Sequence, residues 1–242
     1  MKLRNLNFGT ILLAACLILF AGSTGLAQVV SGPNQLTNDE VSEGWVLLFD
    51  GKSNTGWRGT NKEKFPEKGW EFMDGMILVT GERGGDIITE KKYSDFDLKV
   101  EFRVKEHEAN SGIKYYVLEN EYREGQVLGL EFQTANLHPG TNLETTLGSL
   151  YEILPPNEEL VNPAPLGEWN QVRIVSRKNK VQHWLNGNMI LEYKRGGKDF
   201  REGVASSKFK DIENFGEVEE GHILLQDHNN EVAFRNIKIR EL

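Results

Sequence analysis

One short segment of the chain places a carboxylate and an amide side by side on one face of an extended strand. In residues 128–133 the apolar side chains occupy the even positions, whereas Gly129, Glu131 and Gln133 occupy the odd ones. Because successive side chains of a strand point to opposite faces, these three residues share a face. A carboxylate can act as a general acid or base, so Glu131 is a candidate catalytic residue. A solvated outer face accounts for the alternation equally well.

A second segment, Asn110-Ser111-Gly112-Ile113-Lys114, combines amide, hydroxyl and amine groups with a glycine. Glycine within a strand permits close approach of a ligand or of another backbone. Asn110 and Lys114 are therefore candidate substrate-binding residues. The alternative, which the pattern favours when taken alone, is a turn followed by an ordinary edge strand.

A third segment follows the apolar run 223–225 and reads Gln226-Asp227-His228. An imidazole exchanges protons near neutral pH, so His228 is the second candidate catalytic residue. The alternative is a polar loop with capping Asp and Asn side chains.

Several kinds of function are disfavoured. The formal charge of the 242-residue chain is −8, which argues against binding to a nucleic-acid backbone. The sequence contains no Gly-x-Ser-x-Gly elbow, no phosphate loop and no His-Glu-x-x-His, and its five histidines are dispersed. Glu131 is followed two residues later by Gln133 rather than by Asp, so the paired carboxylates of an ordinary sandwich glycosidase are incomplete on that strand.

Residues 1–27 are typical of a signal peptide. Lys2 and Arg4 precede an apolar run of about 15 residues, too short for a membrane span, and small residues follow it up to Ala27. We predict cleavage before Gln28 and a periplasmic or extracellular protein without a membrane span in its mature chain. An uncleaved anchor is the alternative. The only cysteine, Cys16, stands in a Leu-Ala-Ala-Cys sequence that resembles a bacterial lipoprotein box, but the apolar run continues beyond it.

The elements that must position these residues are strands. Residues 28–43 are polar and are interpreted as an arm or linker, and residues 44–242 as a single domain. Residues 96–104 alternate apolar and charged side chains, and Asn186-Gly187 separates two strand-like runs as in a hairpin. The other predicted strands span 45–49, 76–80, 112–117, 128–133, 147–153, 172–176, 181–185, 190–193, 222–226 and 232–239. Helical periodicity is weak, so we predict an all-β, concanavalin-like jelly-roll sandwich of two antiparallel sheets. Trp57, Trp70, Trp169 and Trp184 could stack on sugar rings, but most are expected in the core, as is His183.

Taken in order, these segments resemble the 3-keto-disaccharide hydrolase family, long catalogued as a domain of unknown function. The matching segments span residues 44–52, 93–98, 110–115, 131–133, 148–151, 167–170, 183–187, 225–228 and 234–239. The resemblance implies export from bacteria that degrade glycans, and hydrolysis of glycosides already oxidised to a ketone at sugar C3. Two departures from the family pattern are Thr134-Ala135-Asn136, where an acidic stretch is usual, and Asn229, where Gly is usual.

A ketone at C3 acidifies the C2 proton, so its removal gives an enolate that expels the glycosidic oxygen from C1, and water then adds to C1. Such a site needs a base, an acid and a partner for the enolate oxygen. Glu131 and His228 are expected to share the acid and base roles in either order. A divalent cation on Glu131 or Asp227 is an alternative enolate stabiliser, and no other cofactor is expected. The candidate substrate-binding residues are Asn110, Lys114, Gln133, Tyr151, Gln226, Asp227 and Arg235, of which Tyr151 and Arg235 could orient the sugar or hold Asp227. The expected partner is a glycoside or oligosaccharide, and the alternative function is a non-catalytic carbohydrate-binding module of the same fold.

Overall fold

A computed structural model describes residues 32–134 and 142–242, which fold into two antiparallel sheets packed face to face. The larger sheet has the strand order β11-β10-β9-β6-β13-β4-β3, and β1 also pairs with β13. Its strands are β1 (Val46–Leu47), β3 (Trp70–Met73), β4 (Met76–Val79), β6 (Phe96–Val104), β9 (Asn170–Arg177), β10 (Lys180–Leu185), β11 (Asn188–Lys194) and β13 (Val232–Glu241).

The smaller sheet has the order β2-β5-β12-β7-β8. Its strands are β2 (Trp57–Gly59), β5 (Ile87–Tyr93), β7 (Gly112–Glu119), β8 (Val127–Gln133) and β12 (Gly221–Leu225). Strands that are distant in the chain are neighbours here, which is the mark of a jelly roll rather than of a simple meander. The prediction of an all-β jelly-roll sandwich is confirmed.

The pattern of side chains explains the sandwich. In β6 the aromatic and aliphatic residues Phe96, Leu98, Val100 and Phe102 are buried, and the charged residues between them lie on the outer face, where Asp97 is buried against Arg173 and Arg240. The apolar faces of both sheets meet in one core, to which Tyr115, Phe132 and Phe234 also belong. Burial of this apolar surface is the main force that holds the two sheets together.

Local turn chemistry sets the hairpin of β10 and β11. Asn186 and Gly187 both have positive φ, 48° and 86°, as the two-residue turn between twisted strands requires. The hairpin predicted from this pair is confirmed by the register Leu185↔Asn188.

Other elements differ from the sequence expectations. Three strands, β2, β3 and β5, were not predicted, and residues 147–153 form isolated bridges at Leu150 instead of a strand. One helix, α2 (Lys198–Ser206), was also not predicted. Its sequence contains two turn-favouring residue types, Gly and Ser, and buries only Phe200, so its helical period is weak.

The segment interpreted as an arm is packed against the sandwich from Asn34 onwards. Asn34 exchanges hydrogen bonds with Asn236. Farther along, the segment contains a short helix, α1 (Asn38–Ser42), which begins with a complete Thr37–Glu40 capping box. The predicted signal peptide and Cys16 lie outside the described residues, as do Ala135 and Asn136. Within residues 32–134 and 142–242, no helix is long and apolar enough to cross a membrane.

Candidate active site

The register between β7 and β8 places a cation directly opposite a carboxylate. Lys114 pairs with Glu131 across the ladder, and Gly112 pairs with Gln133. The Lys114 Nζ atom lies 3.6 Å from Oε2 of Glu131. At this distance the two groups attract each other but do not form a close hydrogen bond. Both therefore keep capacity for a ligand.

Lys114 points to the outer face because it stands between the core residues Ile113 and Tyr115, and a bulge follows it in β7. The register between β7 and β8 shifts between Tyr115 and Leu118, and Tyr116 adopts a positive φ of 52°. The bulge sends both consecutive tyrosines into the core, where each is fully buried. Lys114, the residue before them, keeps the ordinary alternation of the strand and lies on the face opposite the core.

Most of the predicted site residues converge in one cleft with a volume of about 160 Å³. The cleft lies on the outer face of the smaller sheet and at the end where β7 begins and β8 and β12 end. The predicted residues that line it are Asn110, Lys114, Glu131, Gln133, Tyr151, Gln226 and His228, together with Leu128, Gly129, Lys208 and Phe209. The geometric condition for acid–base chemistry at these residues is met, and the individual roles stay predictions.

Glu131 is the most enclosed acid of the cleft, with 8% of its surface exposed. Burial raises the pKa of its carboxyl above the ordinary value, and the nearby ammonium groups of Lys114 and Lys208 oppose that rise. A Cβ atom at position 112 would overlap Oε1 of Glu131, so the glycine makes room for this carboxylate. The glycine predicts close approach of a ligand or of another backbone, but the Glu131 side chain fills this space instead.

The described segment around Tyr151 forms one wall of the cleft. The backbone N–H of Tyr151 donates to the carbonyl of Glu131 at 3.1 Å, and that of Gly148 donates to the carbonyl of Gln133 at 2.8 Å. These bonds attach the loop to the exposed edge of β8, which explains why Glu131 and Gln133 are buried rather than solvated. The Lys208 ammonium lies 4.3 Å from the centre of the Tyr151 ring and 3.4 Å from Glu152.

A buried polar chain supports the same loop from the core side. His183 is fully buried, as expected, and its Nδ1 lies 2.9 Å from the carbonyl oxygen of Gly148. Burial lowers the pKa of His183 to about 4, so the ring is neutral and Nδ1–H donates to that carbonyl. The other ring nitrogen accepts from the Tyr115 hydroxyl at 2.7 Å, and Tyr115 also bonds with Tyr193.

Asn110 offers the cleft an unused hydrogen-bond acceptor. Its backbone N–H donates to Asn230, but its buried Oδ1 atom has no partner among the described residues. An unsatisfied buried carbonyl costs stability unless a ligand or water completes it. Asn110 is thus suited to accept a hydrogen bond from a sugar hydroxyl.

Asp227 does not line the cleft, and its predicted substrate-binding role is corrected. Its Oδ2 accepts hydrogen bonds from the backbone N–H groups of Gly84 and Gly85, and its Oδ1 accepts one from Asn229. The carboxylate joins two loops at this end of the smaller sheet. It positions the segment that carries His228 rather than the substrate.

Arg235, which was predicted to orient the sugar or to hold Asp227, does not line the cleft either. It belongs to β13 of the larger sheet, where its Nε donates to Glu101 at 2.7 Å and its guanidinium lies 4.1 Å from the ring centre of Trp169. It therefore neither holds Asp227 nor orients a ligand in the cleft. The match of residues 234–239 to the family pattern reflects the sandwich rather than the site.

Three residues in or near the cleft were not predicted from the sequence: Asp86, Lys208 and Phe209. Asp86 accepts a hydrogen bond from the backbone of Asp227, and burial raises the pKa of its carboxyl while charges on Lys114 and His228 oppose the rise. Asp86 stands between the Gly84-Gly85 turn and a strand, a position that could have been noticed. Lys208 and Phe209 follow α2 and carry no sequence signal of their own.

The residues present do not fit the divalent cation that was considered as an alternative. Asp227 already accepts three backbone hydrogen bonds, and Glu131 faces the Lys114 ammonium. In the described parts of the chain, no three His, Cys, Asp or Glu side chains are grouped closely enough to hold a metal ion. The ammonium of Lys114 takes the place that a cation beside Glu131 would have.

Comparisons with known proteins agree with this assembly. A 3-keto-disaccharide hydrolase of Bacteroides thetaiotaomicron is 32% identical over 234 residues, which cover 83% of this chain and 79% of that protein. A crystal structure of a putative glycosyl hydrolase from Parabacteroides distasonis superposes with a TM-score of 0.76 at 31% identity, and covers 87% of this chain and 100% of that one. A second such structure from the same species, at 24% identity and a TM-score of 0.63, shares the fold. Residues 44–240 match the model of the 3-keto-alpha-glucoside-1,2-lyase-like domain, and the chain therefore belongs to that family.

Proposed function

We propose that this protein is a glycoside hydrolase that cleaves 3-keto-disaccharides or other 3-keto-glycosides by elimination followed by hydration. The family description names a lyase acting across C1 and C2, and the Bacteroides relative is called a hydrolase. The two names are compatible if both halves take place in one cleft. Elimination breaks the glycosidic bond, and addition of water to the resulting double bond completes the hydrolysis.

The observation that carries this proposal is the side-by-side placement of Lys114 and Glu131, 3.6 Å apart in the cleft. The ketone oxygen on C3 and the proton on C2 are on adjacent carbons of the substrate. A cation and a base at adjacent positions can therefore act on both at once. Glu131 takes the C2 proton, while the Lys114 ammonium stabilises the negative charge that develops on the C3 oxygen.

Burial makes Glu131 a stronger base than an exposed carboxylate. Because its pKa is raised, its conjugate acid holds a proton more firmly, and a base gains strength by the same amount. The positive charge of Lys114 opposes the rise and favours the ionised carboxylate. The pair thus couples base strength to enolate stabilisation.

His228 serves the leaving group. Its exposed imidazole lines the mouth of the cleft, on a loop that Asp227 ties to Gly84 and Gly85. The enolate electrons form the C1–C2 double bond, the C1–O bond breaks, and His228 donates a proton to the departing oxygen. Water then adds its oxygen to C1 and gives one proton to His228, and Glu131, whose carboxyl proton exchanges with solvent, protonates C2, which restores both groups of the enzyme.

The remaining lining residues suit recognition of the sugar. Asn110 presents an unused carbonyl oxygen, and Gln133 and Gln226 add amide groups around the base. Tyr151 and Phe209 present aromatic surface on which a sugar ring can pack. The same wall carries Lys208, so this side of the cleft is both apolar and cationic.

The test uses a 3-keto-glucoside in D₂O with detection of 3-keto-glucose by mass spectrometry and NMR. We expect deuterium at C2 of the product from the first turnovers, and a normal isotope effect when the substrate carries deuterium at C2. A control incubation of 3-keto-glucose alone measures non-enzymatic exchange. Turnover without C2 exchange or an isotope effect would contradict the elimination route, and binding without turnover would contradict the enzyme itself.

A further inference from the structure

We propose that the outer face of the larger sheet carries a second site, which binds acidic saccharides and is separate from the cleft on the smaller sheet. A cavity with a volume of about 360 Å³ lies on this face, within the usual range for ligand sites. Its lining comes from β6, β9, β10 and β13 and from the turn after β10. The inference goes beyond the proposed function, since binding here requires no catalytic step.

The strand register aligns one aromatic ring and three cations in a single row. Trp184 of β10 pairs with Arg173 of β9, Arg173 pairs with Lys99 of β6, and Lys99 pairs with Lys238 of β13. Like charges that face each other across strands destabilise a sheet. Such a row is conspicuous in a chain whose formal charge is −8. We name these four residues the outer row.

The carboxylates beside the outer row only partly neutralise it. Asp97 accepts two hydrogen bonds from Arg173 at 2.7 Å, and also one from Arg240. Glu40 of α1 pairs with Lys238 at 2.5 Å and with Lys99 at 3.5 Å.

The other nearby acids are already paired. Glu101 lines the cavity but is bound to Arg235, and Glu43 is bound to Arg240. Among the described residues, no hydrogen bond uses Arg173 Nη1, and the Lys99 ammonium, which lies 4.3 Å from the centre of the Trp45 ring, contacts a carboxylate only at 3.5 Å. The cavity therefore presents more cationic donors than the surrounding carboxylates can use.

The remaining lining groups indicate that the anion is carried by a sugar. The Trp184 indole is half-buried, with its Nε1 donating to Gln182, so a flat apolar surface borders the cavity. Gln171 is exposed, and among the described residues its backbone bonds with Asn186 while no hydrogen bond engages its side-chain amide. A saccharide ring can pack on the indole, a hydroxyl can bond with Gln171, and a carboxylate can meet Lys99 and Arg173. A simple anion would not use the ring.

The probe is a tetragalacturonate, and its methyl ester is the uncharged comparison. We expect the full-length mature protein to bind the acid by isothermal titration calorimetry and the ester at least about tenfold more weakly. Trp184→Ala and Lys99→Gln should each weaken binding by at least about tenfold, and added salt should weaken it further. Met189→Ala, an exposed side chain opposite Trp184 but outside the cavity lining, is the matched control and should bind normally.

Two readouts separate this site from the cleft. Glu131→Gln should leave tetragalacturonate binding unchanged, and Trp184→Ala should leave turnover of a small 3-keto-glucoside and the thermal unfolding midpoint near their original values. Absence of binding at millimolar tetragalacturonate, equal binding of the ester, or full binding by Trp184→Ala would each overturn the proposal. None of these results depends on whether the cleft is catalytic.

Discussion

Lys114 and Glu131 face each other across the β7–β8 ladder with 3.6 Å between Nζ and Oε2, inside a cleft that leaves 14% and 9% of their side chains exposed. A partly dry environment strengthens the attraction between the two charges, but it also penalises each of them. The pair consequently adds little to the stability of the fold, but it is suited to act on a bound substrate. Both groups keep free hydrogen-bonding capacity in a place where a substrate can use it.

Glu131→Gln should remove the base with little change of shape. If Glu131 takes the C2 proton, kcat for a 3-keto-glucoside should fall by about 10²–10⁴-fold. The matched control is Glu121→Gln, an exposed glutamate that pairs with Lys92 at 3.6 Å, and its kcat should be unchanged. Retention of more than about a tenth of the activity in Glu131→Gln would move the base to another residue.

The same substitution should stabilise the fold at neutral and alkaline pH. Burial raises the folded-state pKa of the Glu131 carboxyl, so the native state binds a proton more firmly than the unfolded state does. Stability contributed by that proton is present at low pH and is lost as pH rises through the folded pKa. The amide in Glu131→Gln does not titrate, so the variant avoids this pH-dependent loss of stability. Each kcal/mol gained in the free energy of unfolding should raise Tm by about 2–4 °C. Calorimetry at pH 8 and pH 4 should show the gain only at pH 8; an equal gain at both would refute the explanation.

Gly112→Ala should disturb the base through contact rather than through charge. A methyl group at this position would overlap Oε1 of Glu131, whose side chain must then move. We expect kcat to fall by at least about tenfold because a small misplacement of a reacting group is costly. Gly32→Ala is the control, since its new methyl would meet nothing closer than 3.8 Å. Normal turnover by Gly112→Ala would show that the carboxylate position is not critical.

His183 should make the fold sensitive to mild acid. Burial lowers its folded-state pKa to about 4 from an ordinary 6.5, so below pH 6.5 the unfolded state gains a proton that the native state refuses. Stability is therefore lost as pH falls, by about 2 kcal/mol from this residue at pH 5. Denaturant unfolding of the protein and of His183→Gln between pH 7.5 and 5 measures the difference. The variant should be less stable at pH 7.5 but should show a flatter pH profile, and parallel profiles would exclude His183 as the cause.

Export is expected to remove the first 27 residues. The charged start, the apolar run of about 15 residues and the small residues before position 28 are the pattern that a signal peptidase recognises. Protein recovered from the periplasm or medium of an expressing bacterium should begin at Gln28 in N-terminal sequencing. The substitution Cys16→Ser should change neither the start nor the yield. Lipid attached at Cys16 would instead identify the chain as a lipoprotein.

Much of the fold can be predicted from local patterns. The alternation in residues 96–104 reproduces β6, and Asn186-Gly187 marks the turn between β10 and β11, because both features depend only on neighbouring residues. The strands that were not predicted lack a clear local alternation of apolar and polar residues: β2 has only three residues, and β5 has a Thr-Glu-Lys-Lys interior. For α2 and the bulge at Tyr116, packing overrides the weak local preference.

For the site, the sequence by itself determined which chemistry was available: Glu131 on a polar strand face, Lys114 beside a glycine, and His228 after an apolar strand. Tertiary structure alone decided that β7, β8 and the end of β12 lie together, that Asp86 and Lys208 join the same region, and that Arg235 and Asp227 serve other purposes. The physical reason is that side-chain alternation is set by each strand's own backbone. Sheet order and register instead follow from how distant segments bury their apolar faces together.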